Sequence, residues 1–333
     1  MATSRAPVAT APNILYMKSP NALKNDPHAP ATRPGASLTN RQLLVGLVLA
    51  GTGALGFAGK AIIVKLAYRY DVDAVTLIMY RMLFAVPFFM IMTWWAGRGK
   101  PPLTRRDWLG VLGLGFCGYY LSSMLDFVGL QYITASLERL ILYLTPTMVL
   151  ALGWVLKGRR IGIPEITAAL VSYAGALLVF GVELRIAPGA GTAFGAALVL
   201  VSCFTYAIYL FYSGEFVKRL GALRLAGLAT GVASACCIIQ FLLLRPLSAA
   251  WVAPEVIWLS LINGTLCTAA PVLLVMMGVE RLGPDLAAQV GMIGPLATIG
   301  MGIAFLGEPF TPSLAAGTIL VMAGIYMFSR TRR

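Results

Sequence analysis

Apolar and polar positions segregate along this chain in whole blocks. Stretches of roughly 20 mostly apolar residues lie near 42–64, 74–96, 107–129, 134–156, 163–182, 192–214, 223–244, 256–278, 285–306 and 312–329. At ~1.5 Å per residue, each is long enough to cross ~30 Å of hydrocarbon as a helix. Helix is required there, because lipid offers backbone amides and carbonyls no outside partner. The pattern predicts ten transmembrane helices. Residues 1–40 differ: they are rich in Ala, Pro, Thr and Asn, and no apolar run among them has the length of a signal peptide. They predict a disordered cytoplasmic tail. An organelle transit peptide is the weaker reading, since the segment is acid-poor but not clearly amphipathic.

A second regularity joins distant blocks. Gly129, Pro146, Gly153, Gly158 and Gly175 recur as the same residue types 149 positions on, at Gly278, Pro295, Gly302, Gly307 and Gly324, and Leu137 matches Leu286. One offset held over nearly fifty residues points to duplication of half the chain. The expected repeats are residues 42–182 and 192–330, five spans each. Five is odd, so the second copy enters the membrane the opposite way up, and the fold class is an all-α integral membrane protein of two inverted five-helix repeats.

Composition agrees with the blocks. Of 333 residues, 59% are hydrophobic and 12% charged, with mean hydropathy +0.81. That leaves too little polar surface for a soluble globule. The net charge of +13 sits in short clusters between apolar blocks rather than on one face, which argues for loop charges and against nucleic acid. With the N-terminus inside, the inner connections and the C-terminus hold Arg98, Lys100, Arg105, Arg106, Lys157, Arg159, Arg160, Lys218, Arg219, Arg224, Arg281, Arg330, Arg332 and Arg333, fourteen in all. The outer connections hold four: Lys65, Arg69, Arg185 and Arg245. Both termini are therefore expected in the cytoplasm. The same rule explains why Lys157, Arg159 and Arg160 follow span 4 while Glu308 follows Gly307 after span 9. Five cysteines lie inside apolar blocks without a CxxC, and the single histidine, His28, is in the tail. Neither a disulfide framework, a metal site nor a cofactor is expected.

The run Gly129–Pro146, its echo at Gly278–Pro295, the Gly307-Glu308 pair and the glycine-containing spans 5 and 10 resemble the tandem EamA-type repeats of the drug/metabolite transporter superfamily. Lys60 and Arg81 also stand where many bacterial members carry basic residues. The resemblance covers about residues 42–330 and departs at Gly158-Arg159, where the second repeat has Gly307-Glu308. For that reason Glu308 is not given a transport role shared by both halves. The resemblance implies ten helices around a central cavity and export or exchange of a small metabolite, amino acids among them.

Ionisable side chains inside hydrocarbon are costly and are functional candidates by default. Five stand out: Lys60, Arg81, Asp126, Glu138 and Arg139. Counting from span ends places all five in the outer half of the membrane, with Glu138 and Arg139 nearest the interface. Their positions 149 residues on are Tyr209, Thr230, Val275, Ala287 and Ala288, none charged. The expectation is a charged outer gate in which Asp126 or Glu138 titrates a proton or binds an amine. Lys60 and Arg81 would pair with these acids or hold a substrate carboxylate. Permanent ion pairs that lock helices together are the structural alternative. Pro146 and Pro295, read as mid-helix, are hinge candidates, and Tyr119, Tyr206, Tyr209 and Gln289 are candidate cavity linings.

These features point to a carrier of a small amphipathic metabolite in the bacterial inner membrane, working by alternating access with a proton or counter-substrate. A monomer is expected, with a dimer as the alternative. A passive facilitator is the competing reading, since no sequence feature separates downhill flow from exchange. A membrane-embedded transferase is poorly supported: Asp71 and Asp73 are the only close aspartate pair, and no Walker-type loop is present to suggest ATP hydrolysis.

Overall fold

The computed structural model describes residues 40–158, 161–186, 190–282 and 284–330. The expected tail, with His28, and Arg159, Arg160, Arg332 and Arg333 lie outside the described residues. Ten helices among the described residues are long and apolar enough to cross a membrane. They are span 1 (Arg41–Tyr68), span 2 (Ala74–Gly97), span 3 (Arg105–Gly129), span 4 (Ala135–Lys157), span 5 (Ile163–Arg185), span 6 (Gly191–Leu220), span 7 (Ala222–Leu244), span 8 (Pro254–Val279), span 9 (Gln289–Leu306) and span 10 (Pro312–Arg330). Ten crossings return the chain to its starting side. Arg41 and Arg330 therefore share one face, the terminal face; the opposite one is the distal face.

The 149-residue offset reappears as packing. A Cβ on Gly175 of span 5 would stand 2.5 Å from the carbonyl oxygen of Gly317 in span 10, and one on Gly324 would stand 2.6 Å from that of Ala168. Gly324 is the image of Gly175, and Gly317 of Ala168, so each contact is the other's copy across the inverted pair. Spans 3 and 6 meet where a Cβ on Gly129 would lie 2.9 Å from the Gly195 carbonyl; their images, spans 8 and 1, meet at Gly278 and Ala50. Small residues permit such approaches in lipid, where close van der Waals packing holds helices together.

The duplicated glycines and prolines also mark duplicated irregularities. Span 4 is broken into Ala135–Leu142 and Thr145–Lys157, and span 9 breaks at the corresponding place, between Pro284–Gly291 and Ile293–Met301. This corrects the mid-helix reading of the prolines. Pro146 and Pro295 lie in the first turn of a new helix, where a missing amide costs little. Spans 3 and 8 each contain a wide π turn, Phe116–Leu121 and Thr265–Ala269, whose starts are 149 residues apart. Each follows a glycine pressed on a neighbour: a Cβ on Gly115 or Gly264 would come within 2.6 Å of the Ala229 or Arg81 carbonyl respectively. Spans 4 and 9 both end on a left-handed glycine, Gly158 (φ 61°) and Gly307 (φ 71°), a cap that residues with a Cβ adopt only under strain.

Candidate functional site

Four of the five intramembrane charges converge from spans 1, 3 and 4. Lys60 Nζ lies 2.6 Å from Asp126 Oδ2 and 3.6 Å from Glu138 Oε1, bridging the two acids. Glu138 is fully buried, and Arg139 is 9% exposed. Arg139 donates through Nη2 to the Phe57 carbonyl at 3.0 Å, while its Nε stays 3.9 Å from Glu138 Oε2. Both side chains are thus enclosed by protein rather than exposed at the start of span 4. Depth counted along one helix assumes that its end meets lipid or water, whereas the start of span 4 is enclosed by the other repeat.

That enclosure has named partners. The Glu308 carboxylate, at the end of span 9, accepts from the Ala135 amide (2.7 Å), the Ser136 amide (3.2 Å) and the Ser136 hydroxyl (2.5 Å). Glu183 accepts from the Thr134 amide at 2.6 Å and its hydroxyl at 3.0 Å. Two acids thereby satisfy the unpaired amides at the positive end of the helix Ala135–Leu142. Lys65 donates to the carbonyls of Leu130 and Ile133 at 3.1 and 3.0 Å, and Arg69 to that of Leu306 at 3.3 Å. Lys65, Arg69, Thr134 and Glu308 line a distal depression of about 720 Å³.

Arg81 departs from its expected pairing with an acid. Its Nε donates to Thr268 Oγ1 at 3.1 Å, and that hydroxyl donates to the Asn263 carbonyl at 2.7 Å. Its guanidinium also lies 5.1 Å from the Phe127 ring centroid, a cation–π arrangement. The π turn in span 8 brings Thr268 to this carbonyl five residues back, a reach that a regular helix does not give.

On the terminal side of the charges lie two adjoining cavities of about 530 and 470 Å³ that share Arg139, Tyr143 and Tyr206. The second is also lined by Ala50, Phe57 and Gly294, and reaches Val279, the last residue of span 8 at the terminal face. Phe57 and Tyr206 are 149 residues apart, so the repeats present an aromatic image pair to the same space. Tyr143, from the break in span 4, donates its hydroxyl to the Gly291 carbonyl at the break in span 9, 3.2 Å away. Tyr119 and Tyr209 instead pack edge-to-face with centroids 4.9 Å apart and hydroxyls 3.3 Å apart, and Tyr206 stacks on Tyr209 at 5.6 Å. Gln289 is exposed and lines neither cavity, so the expectation for that residue is corrected.

The sequence reading missed Glu308, Glu183, Lys65 and Tyr143. Glu308 was passed over because its image position carries no acid. The usable signal is a lone acid closing span 9 while the helix that opens span 4 of the opposite repeat has free amides to cap.

A ten-span inverted repeat with broken helices and a mid-membrane cavity between the repeats is the build of a membrane transport protein. Residues 44–181 and 193–330 each match the model of the EamA-like transporter family, and the chain belongs to that family. It is 30% identical over 286 residues to the uncharacterized transporter YcbK of Bacillus subtilis, covering 80% of this chain and 87% of that one. An uncharacterized transporter of Archaeoglobus fulgidus is 25% identical over 271 residues, covering 81% and 92%. A crystal structure at 15% identity superposes with TM-score 0.58 over 85% of this chain and 97% of its own, a likeness of fold. The protein is a multi-pass membrane transporter that binds a small molecule and sits in lipid.

Proposed function

We propose that the protein is a secondary carrier that exports or exchanges a small amphipathic metabolite by alternating access. In this reading it lies in the bacterial inner membrane with both termini in the cytoplasm, and works as a monomer. One observation supports the mechanism above others: the cavity beside Arg139 is lined as far as Val279, at the terminal end of span 8, while the Lys60–Asp126–Glu138 cluster and the Glu308 cap stand on its distal side. That is the arrangement expected of a carrier resting open to the cytoplasm. Opening the distal side requires the helix Ala135–Leu142 to leave Glu308, and the breaks in spans 4 and 9 give it places to turn. Asp126 and Glu138, both held by one lysine, are the groups through which a proton would exchange for substrate.

Counterflow in proteoliposomes tests this reading. Substrate loaded on the trans side accelerates uptake by a carrier, whereas flux indifferent to trans substrate identifies a passive facilitator. With Asp126→Asn or Glu138→Gln, transport that keeps the rate and pH profile of the unaltered protein removes the proton role.

A further inference from the structure

The buried cluster joins two cations, Lys60 and Arg139, to two anions, Asp126 and Glu138, with Arg81 buried apart from it. Lys60 occupies both acids, and Arg81 is held by Thr268 and Phe127. Arg139 is different. Its protein hydrogen bonds go through one nitrogen to backbone carbonyls, at 3.0 Å for Phe57 and 3.5 Å for Ala58; its buried Nε has none, and Glu138 stays 3.9 Å away. Arg139 is thus paired with Glu138 only at long range and keeps hydrogen-bonding capacity unspent, and the guanidinium fork is shaped to take two oxygens of one carboxylate.

The cavity supplies what the cluster lacks. Arg139 lines both of its parts, beside the aromatic Phe57, Tyr143 and Tyr206 and the aliphatic Ala54 and Val275. Volumes of about 470 and 530 Å³ suit a small organic molecule. Neither Asp126 nor Glu138 lines the cavity, so a bound ammonium group would find a cation there and no acid. We infer that the central cavity binds an organic monoanion, a compact aromatic or branched apolar body with a single carboxylate seated on Arg139, in preference to its zwitterionic or cationic analogue. This rests on the cavity being the transport site, and it narrows the substrate from amphipathic metabolites in general to acids without a free amine.

Three probes with the same ring separate the charge types: 3-phenylpropanoate, phenylalanine and 2-phenylethylamine, titrated calorimetrically into the purified full-length protein. The carboxylate is expected to bind at least about tenfold more tightly than the other two, each tenfold being ~1.4 kcal/mol. Arg139→Gln is expected to abolish that preference, and Arg139→Lys to retain part of it. If Arg139→Gln does not yield folded protein, the ranking of the three probes on the unaltered protein decides alone. Equal or tighter binding of the amine or the amino acid overturns the inference, as does absence of carboxylate binding or a preference indifferent to Arg139→Gln. Failure of the carrier reading looks different: carboxylate binding without counterflow sinks the carrier and leaves the site, while counterflow of an amine does the reverse.

Discussion

The two repeats share a backbone and differ in chemistry. Both carry a π turn in their third span, a break in their fourth, a left-handed glycine at its end and a glycine contact in their fifth. Yet Lys60, Arg81, Asp126 and Glu138 of the first repeat face Tyr209, Thr230, Val275 and Ala287 at the image positions. At the image of Lys60 the second repeat instead sets Tyr209 edge-to-face against Tyr119 of the first. Features that must bend or approach closely occur twice, as the proposed alternating access requires, since each repeat would move against the other. Charge occurs once: a buried ion cluster is costly to hold in lipid, and the proposed carrier needs it at only one end of the cavity. The difference separates parts that set geometry from parts that recognise and lock.

The largest effect on this comparison comes from removing the lysine that serves two acids. Lys60→Met leaves Asp126 buried without its ion pair and Glu138 with Arg139 alone, 3.9 Å away, and is expected to destabilise the protein by roughly 3–5 kcal/mol. Thermal unfolding in detergent measures it, and adding Asp126→Asn should recover much of the loss. Tyr209→Phe at the image position removes one hydroxyl hydrogen bond and should cost only about 0.5–1.5 kcal/mol. Equal costs at the two positions would dissolve the distinction between a charged and an aromatic half.

Next come the shared parts, where the comparison demands equality. Gly175→Ala and Gly324→Ala each push a methyl against a backbone carbonyl of the partner span, at 2.5 and 2.6 Å. Each is expected to cost about 1–3 kcal/mol through overpacking. Similar melting shifts support the symmetric contact, and a large effect at one glycine with none at the other breaks it.

The smallest effect lies at a helix start. Asp73 caps span 2 by accepting from the amides of Val75 (2.9 Å) and Thr76 (3.2 Å), with Arg245 at 3.2 Å; Gly221 gives span 7 no side-chain cap. Burial pushes the Asp73 carboxyl upward, but the bonds from Thr76 and Arg245 outweigh it and hold it below its usual value. Its contribution is therefore complete above the usual aspartate range, near ~3.9, and is lost as pH falls through the lowered value. Asp73→Ala should cost about 1 kcal/mol at neutral pH and flatten the acid limb of a stability-against-pH curve.

The architecture was legible because each of its signals is local or periodic. Apolar blocks marked the spans, and an offset landing on glycine and proline marked the repeats. Pro146 and Pro295 were found, but their place in the first turn of a new helix was not, since a proline reads alike at a kink and at a start. The π turns left no signature beyond the preceding Gly115 and Gly264. At the site, Lys60, Asp126 and Glu138 were legible one by one as misplaced charges. Pairing of Lys60 with an acid was legible too, but that one lysine bridges both acids was not, because the geometry joins three helices. The Glu308 cap was least visible: it links the end of one repeat to the start of a helix in the other, and no spacing along the chain records that contact.

The central claim is that the distal end is the closed gate and the terminal side the open one. Ala54→Cys in a background without native cysteines places a thiol on the cavity wall of oriented proteoliposomes, where a membrane-impermeant thiol reagent is applied from each side in turn. Labelling is expected from the cytoplasmic side alone, with Glu308→Ala adding labelling from the opposite side as the helix Ala135–Leu142 is released. Labelling from the non-cytoplasmic side in the protein with Glu308 intact, or sidedness unchanged by Glu308→Ala, would contradict the account.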